Sequence, residues 1–167
     1  AEKMFYNWAN DADICRYMRW SKHKNADESR RIIGDWIDSY HKDSFYLWGI
    51  TLKENEELIG SIGLFVVNKI DLSGDAGYCI GKKYWGQGIA TEALKSVFHF
   101  AFMDVGFNRI ELYHSVNNEA SGKVMQKCGM TFEGIAKQKY RSIAGFEDSK
   151  MYGIIKDDYI NNYIKDR

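Results

Sequence analysis

Apolar positions along this chain fall into blocks of helical and strand spacing. Residues 3–19 carry Met4, Phe5, Trp8, Ile14, Tyr17 and Met18 at intervals near three and four. That spacing predicts one helix, or two short ones broken near Asn10 and Asp11. A second helix is predicted over 26–41, with Asp27 or Ser29 as cap and Ile32, Ile33, Trp36, Ile37 and Tyr40 as one apolar stripe. Residues 45–52 (FYLWGITL) and 58–67 (LIGSIGLFVV) are aromatic and β-branched around a polar turn, which predicts a hairpin. After a turn at 68–74, Ala76–Ile80 reads as a short buried strand. A helix over 91–104, stopped by Gly106, buries Ala93, Leu94, Val97, Phe98, Ala101 and Phe102. A strand at 109–116, a helix at 118–127 ended by Gly129, strands at 131–140 and 147–156 around Ala144-Gly145, and a short helix over 157–164 complete the order. Helices and strands mixed in this way predict one α/β domain.

Composition narrows the picture. In 167 residues, Lys plus Arg and Asp plus Glu both number 23, so the formal net charge is zero. A chain built to hold nucleic acid would carry a basic excess, so no nucleic-acid partner is expected. Three scattered cysteines (Cys15, Cys79, Cys128) make neither a disulfide framework nor a CxxC metal site, and they read as reduced thiols of a cytoplasmic protein. No apolar run reaches the 18 residues of a membrane span, so no membrane partner is expected either. Proline is absent, so every turn rests on Gly, Asn, Asp or Ser.

Two segments carry candidate chemistry. Gly86-Gln87-Gly88-Ile89-Ala90-Thr91 joins a strand to a helix. Glycines there admit positive φ and close approach of a ligand, and the helix N-terminus behind them offers free N–H groups to phosphate. A tight turn that binds nothing has the same pattern. The P-loop is excluded because no Gly-Lys-Ser/Thr follows, and the dinucleotide fingerprint because Thr91 stands at its third glycine. The second segment is 117-NNEASGKVMQKCGMTFEG-134, where Asn117 or Asn118 can cap a helix with Ser121 in its first turn. Each segment follows one of two successive strands, and two helix N-termini side by side would line a cleft with backbone donors.

The runs 77-GYCIGKKYWGQGIATEAL-94, 116-VNNEASGKVMQKCGMTFEG-134 and 145-GFEDSKMYGIIKDDY-159 together resemble the GNAT superfamily of acyl-CoA-dependent N-acetyltransferases. They are most similar to the branch of ribosomal-protein N-terminal acetyltransferases of the RimJ/RimL type. The likeness spans nearly the whole chain. It implies an α/β (α+β) GNAT fold: a mixed, mostly antiparallel central sheet flanked by helices, with a V-shaped splay between two central strands. It implies acetyl-CoA as cofactor and a primary amine as acceptor, either a protein N-terminal α-amine or a small amine, attacking directly in a ternary complex. Similar proteins begin with a strand not found ahead of Glu2, so the expectation is one domain over 1–167 lacking that strand. Dimers are common among similar proteins, so the resemblance leaves a homodimer open.

Residue by residue, the resemblance assigns the pyrophosphate to the turn of Trp85, Gly86, Gln87, Gly88, Ile89, Ala90 and Thr91. It assigns the pantetheine arm to the backbone of Cys79 and Ile80, with Asn118 nearby. Many GNAT enzymes use a Tyr four residues before a Gly-Phe pair as the acid; here that place is Met125 and the pair is Gly129-Met130. The acid therefore moves to Ser121. For the base, the resemblance points to the strand position of Tyr140, whose ordinary pKa near 10 suits a base poorly. His114 has the better range, and Glu111 and Glu92 are further candidates. Trp20, Trp36, Trp48, Tyr46 and Tyr140 are an aromatic supply for the acceptor pocket. Two other readings remain: a non-catalytic acyl-CoA sensor of the same fold, and a phosphate-binding domain unrelated to coenzyme A.

Overall fold

Asp11 breaks the first helical stretch because its carboxylate accepts from the N–H groups of Asp13 and Ile14. This divides α1 (Glu2–Met4, running on as a π-helical stretch Phe5–Ala9) from α2 (Ala12–Cys15). The computed structural model describes residues 1–164. Helix α3 spans Ala26–Ile37 and is capped by Asn25 rather than by Asp27 or Ser29. Ser29 is fully buried, and its hydroxyl bonds His23 Nδ1 at 2.7 Å. The helix ends four residues sooner than its apolar stripe predicts, and Ile37 and Tyr40 are exposed.

Six strands follow: β1 (Phe45–Thr51), β2 (Leu58–Asn68), β3 (Ser73–Ile80), β4 (Arg109–Ser115), β5 (Thr131–Ser142) and β6 (Gly145–Ile155). β3 starts three residues earlier than expected, because the Asn68 side chain accepts from Ile70 and Asp71 and closes the turn sooner. The sheet order is β1-β2-β3-β4-β6-β5, antiparallel except for β3 beside β4. Helix α4 (Ile89–His99) continues as a π-helical stretch Phe100–Val105 and stops at Gly106, which has φ 86°. Helices α5 (Glu119–Lys127) and α6 (Lys156–Tyr163) complete the domain.

The sheet is buried on both faces, as strand alternation dictates. Ala76, Ile80, Ile110, Leu112, Tyr152 and Ile154 pack with Leu94, Phe98 and Phe102 of the α4 segment and Met125 of α5. Each Ile, Leu, Phe or Met side chain among them, fully withdrawn from water, contributes roughly 1.5–3 kcal/mol. On the other face Cys79 packs with Met4, Trp8, Ala9 and Ile14.

The β3–β4 pairing positions the site. It comprises only Ser73↔Arg109, Gly74↔Ile110 and Asp75↔Glu111. Beyond Asp75, β3 runs on beside β2 to Ile80, while β4 runs on beside β6 to Ser115. The facing edges are unpaired and the strands diverge, which is the expected V-shaped splay.

Two predictions test the packing. His23 and His114 are buried, and burial pulls both pKa values below the usual 6.5. The unfolded chain then binds protons below pH 6.5 that the folded chain refuses, so this contribution to stability is complete above 6.5 and falls as pH drops. Asp75, pushed up to about 6, acts in the opposite sense over the same window, so the histidine share is read by difference: between pH 7.5 and 5.5 the melting temperature should fall less, or rise more, in His23→Asn than in the wild type. A Cβ on Gly122 would lie 2.6 Å from His114 Nε2, whose ring stacks on Tyr152. Gly122→Val should cost about 1–3 kcal/mol through overpacking, read as a lower urea midpoint.

Candidate active site

The splay opens a cleft of about 1000 Å³ that passes through the sheet. On the α4/α5 side its wall is the turn before α4. Gly86 and Gly88 have φ of 75° and 81°, and a Cβ on either would meet nothing within 4 Å. No side chain caps α4, so its first N–H groups face the cleft with the positive end of the helix dipole. Trp85 closes the turn by donating from its indole N–H to the Ile80 carbonyl at 2.8 Å. That engages the Ile80 oxygen, and leaves the open β3 edge and the glycine turn as the polar backbone on offer. An open cradle of backbone donors, followed by an unpaired strand edge, fits the pyrophosphate and amide-bearing arm of coenzyme A.

Most of the residues singled out from the sequence come together here. Cys79, Ile80, Trp85, Gly86, Gly88, Ile89, Ala90, Thr91, His114, Asn118, Ser121 and Tyr140 all line the cleft. Gln87 does not; its side chain turns back to the Lys83 carbonyl. The Cys79 thiol is buried in the second core, where burial pushes it up to about 12, so only its backbone is offered.

Asn118 caps α5 by accepting from the Ser121 N–H. The Ser121 hydroxyl then lies 2.8 Å from the Tyr78 hydroxyl, which also donates to the Ser121 carbonyl at 3.3 Å. Burial pushes Tyr78 up to about 12, against the pull of the Ser121 contact, so the phenol stays protonated. Tyr78 was missed from the sequence although it lies within the quoted run. Its signal was alternation: with Ala76 and Ile80 it faces α5.

The groups considered as bases fare differently. His114 Nδ1 donates to the Ser115 carbonyl at 2.7 Å, and Nε2 is buried against Gly122 with no partner. That nitrogen is packed into α5 and cannot reach an acceptor on the opposite face of the sheet. Tyr140 is buried and donates to the Tyr17 carbonyl at 2.5 Å; burial and then Glu147 push it up to about 12. It is a fixed donor that holds a loop. Glu111 is paired with Arg109, Nε to Oε1 at 2.8 Å. Glu92 is exposed in the first turn of α4, outside the cleft lining.

Among the described residues three carboxylates line the cleft: Asp13, which pairs with Lys82, Glu119 in the first turn of α5, and Asp75 at the last β3–β4 pair, where the strands part. Burial, and then the neighbouring Glu111 carboxylate, push Asp75 up to about 6. The sequence signal is an acid immediately before the short apolar strand, a position that falls between the expected turn at 68–74 and the expected strand from Ala76.

The opposite mouth is built from the loop after α2 and from β4 and β5. Tyr17 donates to the Asn117 carbonyl at 3.0 Å, Arg19 donates to the Tyr113 hydroxyl at 3.1 Å, and Ile143 N–H bonds the Met18 carbonyl at 3.1 Å. Trp20 and Tyr140 line this mouth. The other expected aromatics do not. Tyr46 and Trp48 stack on each other and pack edge-on to Phe100, and Trp36 packs against the second core.

Comparison with known proteins agrees with this geometry. Residues 1–131 match the acetyltransferase (GNAT) domain family. The uncharacterized N-acetyltransferase YoaA of Bacillus subtilis (strain 168) is 28% identical over 156 residues, covering 93% of this chain and 88% of that one. A ribosomal-protein-serine acetyltransferase of Escherichia coli (strain K12) is 24% identical over 140 residues, covering 84% and 78%. Among solved structures, the spermidine N-acetyltransferase of Vibrio cholerae, in complex with CoA and spermine, superposes with a TM-score of 0.79 at 20% identity, covering 95% of this chain and 92% of that one. With the splayed sheet and the glycine turn in place, these matches make the chain a member of the GNAT family, an N-acetyltransferase whose acyl donor is acetyl-CoA.

Proposed function

We propose that this enzyme acetylates the primary amine of a protein N-terminus or of a small molecule by direct attack in a ternary complex, with Asp75 as base and Ser121, held by Tyr78, as proton donor. One observation carries the reading: the splay brings Asp75 from one face of the sheet and the Tyr78–Ser121 pair from the other to a single opening. Gly86, Gly88, Ile89, Ala90 and Thr91 would hold the pyrophosphate through backbone N–H groups, with Trp85 keeping the turn closed and the β3 edge beside the pantetheine arm. Asn118 holds Ser121 in place through the α5 cap. When bound, acetyl-CoA supplies an activated thioester carbonyl and a thiol leaving group.

The remaining work is proton transfer and alignment. An α-amine, with a pKa near 7.7–8.0, is roughly 10% neutral at pH 7, whereas a lysine amine near 10.4 is less than about 0.1% neutral. An acceptor of the first kind needs only a base that is itself ionised at neutral pH, and Asp75 at about 6 meets that condition. The Ser121 hydroxyl can hand its proton to the departing thiolate, which leaves as the free thiol; Tyr78, still protonated, donates to the serine oxygen meanwhile, and Ser121 regains a proton from solvent. Alignment in the cleft supplies much of the rest of the rate.

The test is thiol release from acetyl-CoA across a panel of peptides and small amines. Asp75→Asn should lower kcat by about 10²–10⁴-fold. With one α-amine acceptor, log kcat/KM in the wild type should rise with slope near two below pH 6 and near one from 6 to 8. Asp75→Asn should show slope one throughout. A wild-type rate and slope in that variant would remove Asp75 from the mechanism. Ser121→Ala and Tyr78→Phe should each lower kcat, and the double variant should lose no more than the worse single one, because the two act as a unit. Thermal protection by acetyl-CoA without thiol release from any amine would instead mark a sensor of acyl-CoA.

A further inference from the structure

We propose that the acceptor carries an anionic group, a carboxylate or a phosphate, beside its reactive amine, and that Arg19 grips this group while the amine faces Asp75. The inference rests on the acetyl-transfer reading of the same cleft and specifies its substrate class. Arg19 lines the cleft at the mouth opposite the glycine turn. Its guanidinium lies 5.3 Å from the centre of the Tyr140 ring, and Nη2 donates to the Tyr113 hydroxyl at 3.1 Å. The two sheet tyrosines thus hold a planar fork in place, while most of its five N–H donors are left over. Tyr140 and Ile143 tie down the loop behind it through the Tyr17 and Met18 carbonyls, so little ordering remains when a ligand binds.

What is missing at Arg19, among the described residues, is a carboxylate in contact; the charge it does feel is that of Asp75, deeper in the cleft. Arg109, also on the sheet, is matched by Glu111 and Glu133, and Lys82 at the cleft rim is matched by Asp13. Arg19 forms no ion pair among the described residues. Lys139, whose Nζ lies 5.7 Å from the centre of the Tyr113 ring, adds a second positive charge rather than cancelling the first. Deeper in the cleft the sign reverses at Asp75, with Glu111 beside it. Arg19 and Lys139 at the mouth, with Asp75 deeper, suit an acceptor whose nitrogen turns positive as it attacks and which is anionic a few bonds away. That arrangement is the wrong field for a polyamine, which would bring further ammonium groups past Arg19 and Lys139.

The test uses amines with and without an anion: alaninamide against alanine, ethanolamine against 2-aminoethyl phosphate, and Ala-Gln amide against Ala-Glu amide, with spermidine as the polycation, every rate being expressed per neutral amine from that amine's own titration. Each is measured twice, as kcat/KM for thiol release and as Kd by calorimetry on the CoA-bound protein. A hydrogen-bonded charge pair is worth roughly 1.5–3 kcal/mol, or about 10–150-fold. In at least one pair the anionic member should be preferred by about tenfold or more, and Arg19→Gln should bring that ratio to within about twofold. Arg19 is exposed, and an unchanged melting temperature checks that the variant folds. The inference is overturned if no pair shows a preference, if the preference survives Arg19→Gln, or if spermidine is the better substrate or ligand. Arg19-dependent binding of an anionic member without thiol release would uphold the inference and overturn the transfer reading; turnover without an anion preference would do the reverse.

Discussion

The parallel ladder between β3 and β4 stops after three residue pairs, and the site follows from that stop. A sheet normally separates its two faces. Here the backbone parts beyond Asp75 and Glu111, so a group below the sheet and a group above it share one opening. The same divergence leaves strand edges without ladder partners, and buried backbone groups demand partners. An extended arm rich in amides answers that demand as a further strand would.

The two layers on either side divide the labour. On the α4/α5 side, what faces the cleft is mostly backbone: the uncapped start of α4, the two glycines of positive φ and the Asn118-capped start of α5. On the α1–α3 side it is mostly side chains. The irregularity in β5 connects the sides. Between the pairs Ala136↔Ser149 and Tyr140↔Glu147, β5 advances four residues while β6 advances two, with Gln138 at φ 47° and its N–H on Asp148. The bulge re-aims the strand so that Tyr140 reaches the Tyr17 carbonyl and the loop after α2 is fastened to the sheet.

Much of the fold was legible because its signals are local. The aromatic and β-branched runs of β1 and β2, the apolar face of α4 and the Gly106 stop each depend on a few consecutive residues, and all appear close to where expected. The glycine turn and the Asn118–Ser121 cap were legible for the same reason. What the sequence hid was pairing across distance. Nothing near Tyr78 announces that Ser121, 43 residues on, receives its hydroxyl. Nothing near Asp75 shows that Glu111 will stand beside it in a parallel pair. His114 failed in the opposite way: its residue type suited a base, but strand alternation turned it toward Gly122 and Tyr152. The aromatic pool was divided by the same parity, Tyr46 and Trp48 going to Phe100 and Tyr140 to the cleft.

The backbone character of the glycine turn has a consequence for how this protein can change. An amide N–H is present whatever side chain its residue carries. Apart from the two positions that need positive φ, the turn before α4 can accept substitutions and still offer the same donors. The far mouth has no such insurance, because Arg19, Tyr113 and Tyr140 act through side-chain atoms that one codon change removes. A lineage of such chains would keep its acyl donor through long drift while exchanging one acceptor for another in a few steps.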